Sequence, residues 1–382
     1  MTNLDEEKIC ISSDSESEKE KSVRHDDEVC FFGGDISFEE PQIYDDTQDK
    51  NKKIRTVFST SHFALFVYLL TSQGVATLML IFASLFFVSS GSTDALSTNN
   101  DFLLGLNAVC QYLIAFPIFF LLTRGISKKS EPSVKRLRVG ELLCLFVVAE
   151  GVMLLGAFIS GLLSDLLGRL FGTASEGAVE SAIGNASPWV VFIAVCILAP
   201  IFEEIIFRKI LIDRLSVFGD GIAIIFSAIA FGLFHGNLSQ LIYATAVGLV
   251  LGYVYTYTRK IEYTVILHAM LNLFGGVIPI GIEWLEKESE RLHALAKEGE
   301  QINTSLTMLY DLTIIAYGVL TVLFVIGAIT VLSVAIVKRK IHVEASDECN
   351  AKNVVKIGIA NAGFILFAGL SAVLIIISLL TT

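Results

Sequence analysis

The chain has 382 residues, 53% of them hydrophobic and 18% charged, with a mean hydropathy of +0.67 and a formal net charge of −11. Such a composition excludes an ordinary soluble globule and reads as a polytopic membrane protein. No apolar run is separated from the next by a soluble segment of any size, so groove-reading nucleic-acid modules are excluded and no nucleic-acid partner is expected.

The first 50 residues are a different material, with 16 Asp or Glu against 5 Lys or Arg, a balance of −11. The remaining 332 residues carry 23 charges of each sign, so the tail holds the whole net charge. So few apolar residues under so dense a charge cannot bury enough surface to fold. Residues 1–55 are therefore expected to form a disordered acidic cytoplasmic tail. It lacks a basic n-region and a cleavage site and is not read as a signal peptide. It reads first as a solvated segment whose charge keeps it off anionic lipid, and the alternative is that its less polar patch, Val29-Cys30-Phe31-Phe32-Gly33-Gly34, docks a partner.

About 20 apolar residues cross the hydrocarbon core as a helix. By that measure the sequence predicts an all-α transmembrane bundle of eight or nine spans. The candidates lie near 62–88, 102–123, 140–164, 188–207, 219–235, 239–257, 262–283, 309–337 and 353–380. Spans within 56–187 precede a core at 188–283; the rest, within 309–382, follow a connection at 284–308. That connection, from Trp284 to Lys297 and on, reads as an amphipathic surface helix outside the cytoplasm. Basic residues cluster in every second connection: Lys52 to Arg55, Lys128 to Arg138, Arg208 to Arg214, Arg259-Lys260 and Lys338 to Lys340. This asymmetry predicts a multi-pass protein of the cell membrane with a cytoplasmic N-terminus. The six cysteines (10, 30, 110, 144, 196, 349) form no CxxC pair, so neither a structural disulfide nor a cysteine metal site is expected.

Within these spans stand ionisable residues that hydrocarbon penalises and function usually explains. Glu203 and Glu204 close an apolar run, and Arg208 follows one turn later. On a helix Glu204 and Arg208 share a face in the favourable order for an ion pair, while Glu203 is turned by roughly 100° and faces something else. A carboxylate in a dry pocket suits a general base. After 32 residues comes Phe231-Gly-Leu-Phe-His235, whose phenylalanine can wall one side of the imidazole. After another 33 comes His268-Ala-Met-Leu-Asn272, with two donors on one face, as an oxyanion requires. Each motif alone has a plainer reading: an interfacial ion pair, an interfacial histidine, and interhelical hydrogen bonding. Gly248-Leu-Val-Leu-Gly252 offers a small-residue face that would let the helices pack closely.

Together, in this order, the three motifs resemble the CPBP intramembrane proteases, which include the CAAX prenyl-protein endopeptidases and the bacteriocin-processing, Abi-type proteins. The family pattern EExxxR, FxxxH, HxxxN/D is similar to Glu203–Arg208, Phe231–His235 and His268–Asn272, and the resemblance covers roughly 188–276. It implies a membrane-embedded glutamic endopeptidase whose substrate is a membrane or lipidated peptide. The catalytic residues would be Glu203, His235, His268 and Asn272, with structural support from Glu204, Arg208 and Phe231. The first two would activate water, the second two would hold the oxyanion, and no cofactor would be required. Two positions depart from the pattern: Lys209 where glycine is expected, and Thr258-Arg259-Lys260-Ile261 in place of a Thr-Gly turn.

Other readings stay open on the residues themselves. Glu203, His235 and His268 would serve as three ligands of a zinc ion, with Glu204 as base, although no HExxH helix is present. A peptide-binding scaffold or immunity-type protein would use the same cavity without chemistry. A proton-coupled transporter would recruit Glu150 of the third span. Counting also places Glu203 near the cytoplasmic end of its span and His235 near the opposite end of the next. For the two to meet, Pro200 should kink the fourth helix or the fifth should start outside the bilayer.

Overall fold

The structure, a computed structural model, describes residues 46–90, 99–129, 135–171, 186–338, 343 and 350–381. The described residues form helices and no strand, as expected inside hydrocarbon, where each segment has to satisfy its own N–H and C=O groups. In chain order these are α1 (Asp46–Ser90), α2 (Asn100–Thr123), α3 (Val139–Phe171), α4 (Pro188–Phe218), α5 (Asp220–Phe234), α6 (Leu238–Thr258), α7 (Ile261–Lys297), α8 (Thr304–Val337), α9 (Ala351–Ile359) and α10 (Ala362–Thr381). Eight of them are long and apolar enough to cross a membrane, and α5 is apolar but shorter. The protein is a multi-pass membrane bundle.

Several boundaries differ from the sequence reading. The acidic tail, including the patch at 29–34, lies outside the described residues up to Asp45. Residues 46–55, assigned to that tail, are the first turns of α1. Ile54 and Val57 are buried there, and the Asn353 amide of α9 donates to Asn51 Oδ1 at 2.7 Å. The last apolar run divides into α9 and α10 because Asn361 interrupts it. Its amide donates to the Ile357 and Gly358 carbonyls that end α9, and its Oδ1 accepts the Phe364 N–H that starts α10. The amphipathic stretch after Trp284 is the continuation of α7, held to α8 by Ser289 and His293 on Asp311.

The largest correction concerns α4. The run of charges after Phe207 does not end the helix, which continues to Phe218. Those charges are satisfied within the bundle. Arg208 pairs with Glu204 at 3.1 Å, and Arg214 donates to the Thr123 carbonyl from Nε (3.0 Å) and Nη2 (2.7 Å). Glu203 therefore lies 15 residues from either end of α4, roughly 22 Å by helical rise and deep in the bundle. This removes the mismatch in depth between Glu203 and His235.

α5 and α6 form a tight hairpin. Its turn needs Gly236, which has φ +64°, a left-handed conformation that side chains disfavour. The small-residue face acts as expected: a Cβ on Gly248 already sits 3.1 Å from Ala228 Cβ and 2.9 Å from Ala228 Cα. At the opposite end an ionic layer ties the helices together. Arg259 Nη2 lies 2.7 Å from both oxygens of Asp220, Lys129 reaches the same carboxylate at 3.3 Å, and Tyr255 OH donates to Asp213 at 2.8 Å. Arg259 holds φ 54°, which explains why a glycine is the easier residue at this turn. The Asp220 clamp fixes the strained conformation here. Lys209, the other departure, is absorbed by an ion pair with Asp213 at 3.4 Å.

Candidate active site

Three elements deliver the ionisable groups. α4 carries Glu203, Glu204 and Arg208; His235 caps the end of α5; α7 carries His268 and Asn272. Glu203, Phe231, His235, His268 and Asn272 all line one cavity of about 500 Å³. The four residues expected to do chemistry thus share a hollow inside the bundle. Glu204 and Arg208 stand behind it, both with no exposed surface.

The pairing inside the site is specific. His268 Nδ1 lies 2.9 Å from Glu204 Oε1, and Nε2 lies 3.7 Å from Glu203 Oε2 on the cavity side. Glu204 only accepts, so Nδ1 carries the proton. The ion pair to Arg208 fixes Glu204 in turn, so the imidazole is oriented from behind by a buried charge pair, in the manner of carboxylate–histidine couples elsewhere. The Arg208 guanidinium also lies 4.7 Å over the Phe231 ring, a cation–π contact in a dry setting. Phe231 meets both imidazoles edge to face, His235 at 4.9 Å and His268 at 5.6 Å. His235 Nδ1 lies 2.7 Å from the Phe231 carbonyl, which also only accepts, leaving the Nε2 lone pair of neutral His235 as a proton acceptor.

Asn272 has a task the sequence did not disclose. Its Nδ2 donates to the Val195 carbonyl at 2.7 Å. Residues Phe192–Leu198 form a π-helical turn, in which Ala199 N–H reaches back to Ala194 O. The next donor in that register would be residue 200, a proline without an N–H, so the Val195 carbonyl has lost its helical partner. Asn272 supplies it. The same pattern recurs at Pro279, where Tyr317 OH donates to the Phe274 carbonyl at 3.3 Å after the π-helical turn Asn272–Val277. A third such turn, Val109–Ala115, precedes Pro117. All three turns contribute residues to the cavity wall, in keeping with the frequency of π-turns at functional sites.

Sequence reasoning missed the polar wall formed by Asn107, Gln111, Tyr112, Gln240 and Tyr243. Asn107 and Gln111 are four apart on an apolar helix that meets Pro117, and that spacing was the available signal. Glu150 is buried but is not a lining residue of the cavity. Among the described residues no group of three His, Cys, Asp or Glu side chains is placed to hold a metal ion. Glu204, the base in the zinc scheme, is committed to His268 and Arg208.

Comparison with known proteins agrees with this architecture. The family of type II CAAX prenyl endopeptidase Rce1-like proteins matches residues 185–274, the stretch holding all three motifs. The protein named "Putative membrane peptidase YdiL" of Bacillus subtilis (strain 168) is 27% identical over 200 residues, which is 50% of this chain and 79% of that protein. No solved structure gives a significant match. Over residues 185–274 the chain is similar to the type II CAAX prenyl endopeptidase Rce1-like family, and with the membrane-peptidase relative this similarity indicates a membrane-embedded protease.

Proposed function

We propose that the protein hydrolyses a peptide bond of a membrane-associated or lipidated peptide within this cavity, using Glu203 and His235 to activate water. The water proton passes to the Glu203 carboxylate, with His235 Nε2 as the second acceptor, and the hydroxide adds to the carbonyl carbon. The oxyanion then meets donors from His268 and Asn272. Donation from His268 uses Nε2, the ring nitrogen on the cavity side, which has to carry a proton of its own because Nδ1–H is committed to Glu204. Collapse of the tetrahedral species breaks the C–N bond, and the proton held by Glu203 goes to the departing amine.

The observation that carries this reading is the convergence of Glu203, His235, His268 and Asn272 on one cavity. Lys52, Lys53, Lys129, Arg214 and Arg259 lie at the end of the bundle that holds the ionic layer, and we assign that end, with the N-terminus, to the cytoplasmic side of the cell membrane. Comparative proteomics of cells carrying the native chain or Glu203→Gln, read for membrane peptides that lose a cut site, identifies the substrate. Loss of cleavage in Glu203→Gln with helical content unchanged is expected. Undiminished cleavage of a verified substrate by that variant refutes the mechanism, and a phenotype indifferent to it points to a peptide-binding scaffold.

A further inference from the structure

Six helices bound the cavity, α3 through Met153 and α5 through Phe231 and His235. α2 contributes its first half, from Leu103 to Tyr112; α4 contributes Ala194 to Glu203; α6 contributes its first turns, from Gln240 to Val247; α7 contributes His268 to Gly276. The ionic layer ties the other ends, through Asp213 late in α4, Asp220 at the start of α5 and Arg259 just past α6. Between the two, α4 is packed solid by Ile206, Phe207, Ile210, Leu211 and Ile212, none more than 5% exposed. The other rim is open, with Asn107 and Gly276 exposed. The hollow is therefore closed towards the ionic layer and opens away from it.

Its wall chemistry selects what enters. Apart from Glu203 and the two histidines, the polar lining is made of amides and phenols set among apolar side chains. Gln111 Nε2 donates to Asn107 Oδ1 at 3.0 Å, and Asn237 donates to Gln240 Oε1 at 3.2 Å. These bonds leave the N–H groups of Asn107 and Gln240 and the carbonyl of Gln111 for an occupant. The Tyr112 backbone carbonyl adds an acceptor, because Phe116 N–H goes to Gln111 O and residue 117 is proline. Neutral donors and acceptors spaced along a half-apolar wall match the backbone of an extended peptide. An anionic side chain would lose its hydration there and meet the Glu203 carboxylate without gaining a cationic partner on the wall.

We infer that the cavity admits its substrate from the face opposite the ionic layer, as an extended peptide stretch without anionic side chains, gripped by Asn107, Gln111 and Gln240. The fate of that peptide rests on the hydrolytic reading above, but its route does not, so the test is chosen to need no turnover. In the full chain with all six cysteines replaced by alanine, Ala108→Cys reports on the cavity and Ser127→Cys on the ionic-layer end. The protein is placed in sealed vesicles and labelled with a membrane-impermeant maleimide from either face. Ala108→Cys should react only from the face opposite to that which labels Ser127→Cys. A mixture of neutral, end-capped octapeptides should slow its labelling about threefold or more, as two-thirds occupancy requires, while the same mixture with a central glutamate should not. Labelling of both positions from one face, no labelling of Ala108→Cys in protein that labels at Ser127→Cys, or equal protection by the two mixtures each overturn the inference. Adding Glu203→Gln should leave unchanged the face from which each position labels, so a failure of the hydrolytic mechanism is read separately.

Discussion

Asn272 carries two roles that one substitution cannot separate, and Pro200 offers the means to separate them. Asn272→Ala removes the donor to the Val195 carbonyl, whose backbone partner is missing because residue 200 is proline. An acceptor left unsatisfied costs ~1–3 kcal/mol, and Val195 borders a cavity that water reaches, so we expect the low end, about 1 kcal/mol. Pro200→Ala restores an N–H at the position that lacks one. In that background Asn272→Ala should cost little, which corresponds to a coupling energy of about 1 kcal/mol between residues 72 positions apart in sequence. The assay is equilibrium unfolding of the four proteins in mixed micelles. Activity should behave differently: loss of an oxyanion donor raises the barrier by ~2.7–4 kcal/mol whether or not the helix has been repaired. The double variant should then be nearly as stable as its Pro200→Ala parent yet slower by roughly 10²–10³-fold. Strictly additive stability costs would refute the account of the widened turn. Recovery of activity together with stability would refute the oxyanion role.

Further outcomes follow from the rest of the structure. Asp220→Asn leaves the Arg259 guanidinium, 5% exposed, without its bidentate partner and should lose ~3–5 kcal/mol of stability. Lys129→Gln, on a side chain 30% exposed, should cost under ~1 kcal/mol, and equal denaturation midpoints for the two variants would contradict the ionic layer. Gly248→Val drives a side chain into Ala228 and should destabilise by ~1–3 kcal/mol, whereas Gly161→Ala, with nothing within 4 Å, should be neutral or mildly stabilising by thermal unfolding. Exhaustive chelation should leave cleavage of a verified substrate unchanged, because Glu204 is committed to His268 and Arg208; proportional loss of activity and of bound zinc would reverse that assignment.

Much of the site could be read along the chain because helical geometry is local. The four-residue spacing of Glu204 and Arg208 predicts their ion pair, and the turn of about 100° predicts that Glu203 faces elsewhere, towards the cavity as it proves. Phe231 and His235 likewise meet one turn apart at 4.9 Å. What failed was the reading of charge as an end to the membrane segment. Arg208 and Arg214 look like loop residues in one dimension, since the groups that neutralise them are invisible to hydropathy. Arg214 is satisfied by the Thr123 carbonyl, 91 residues away.

Composition and periodicity by themselves determined that this protein is a helical membrane bundle, and the order of three short motifs determined its chemical class. The first follows from transfer free energy and the period of the helix, and the second rests on the resemblance of the ordered motifs to a known family. The tertiary structure alone decided the depth of Glu203, the seating of His268 on Glu204, the contact of Arg208 with Phe231 and the repair of the Pro200 turn by Asn272. Each of these depends on which helices pack side by side, and packing among apolar helices is set by shape and by a few buried hydrogen bonds that no local pattern encodes.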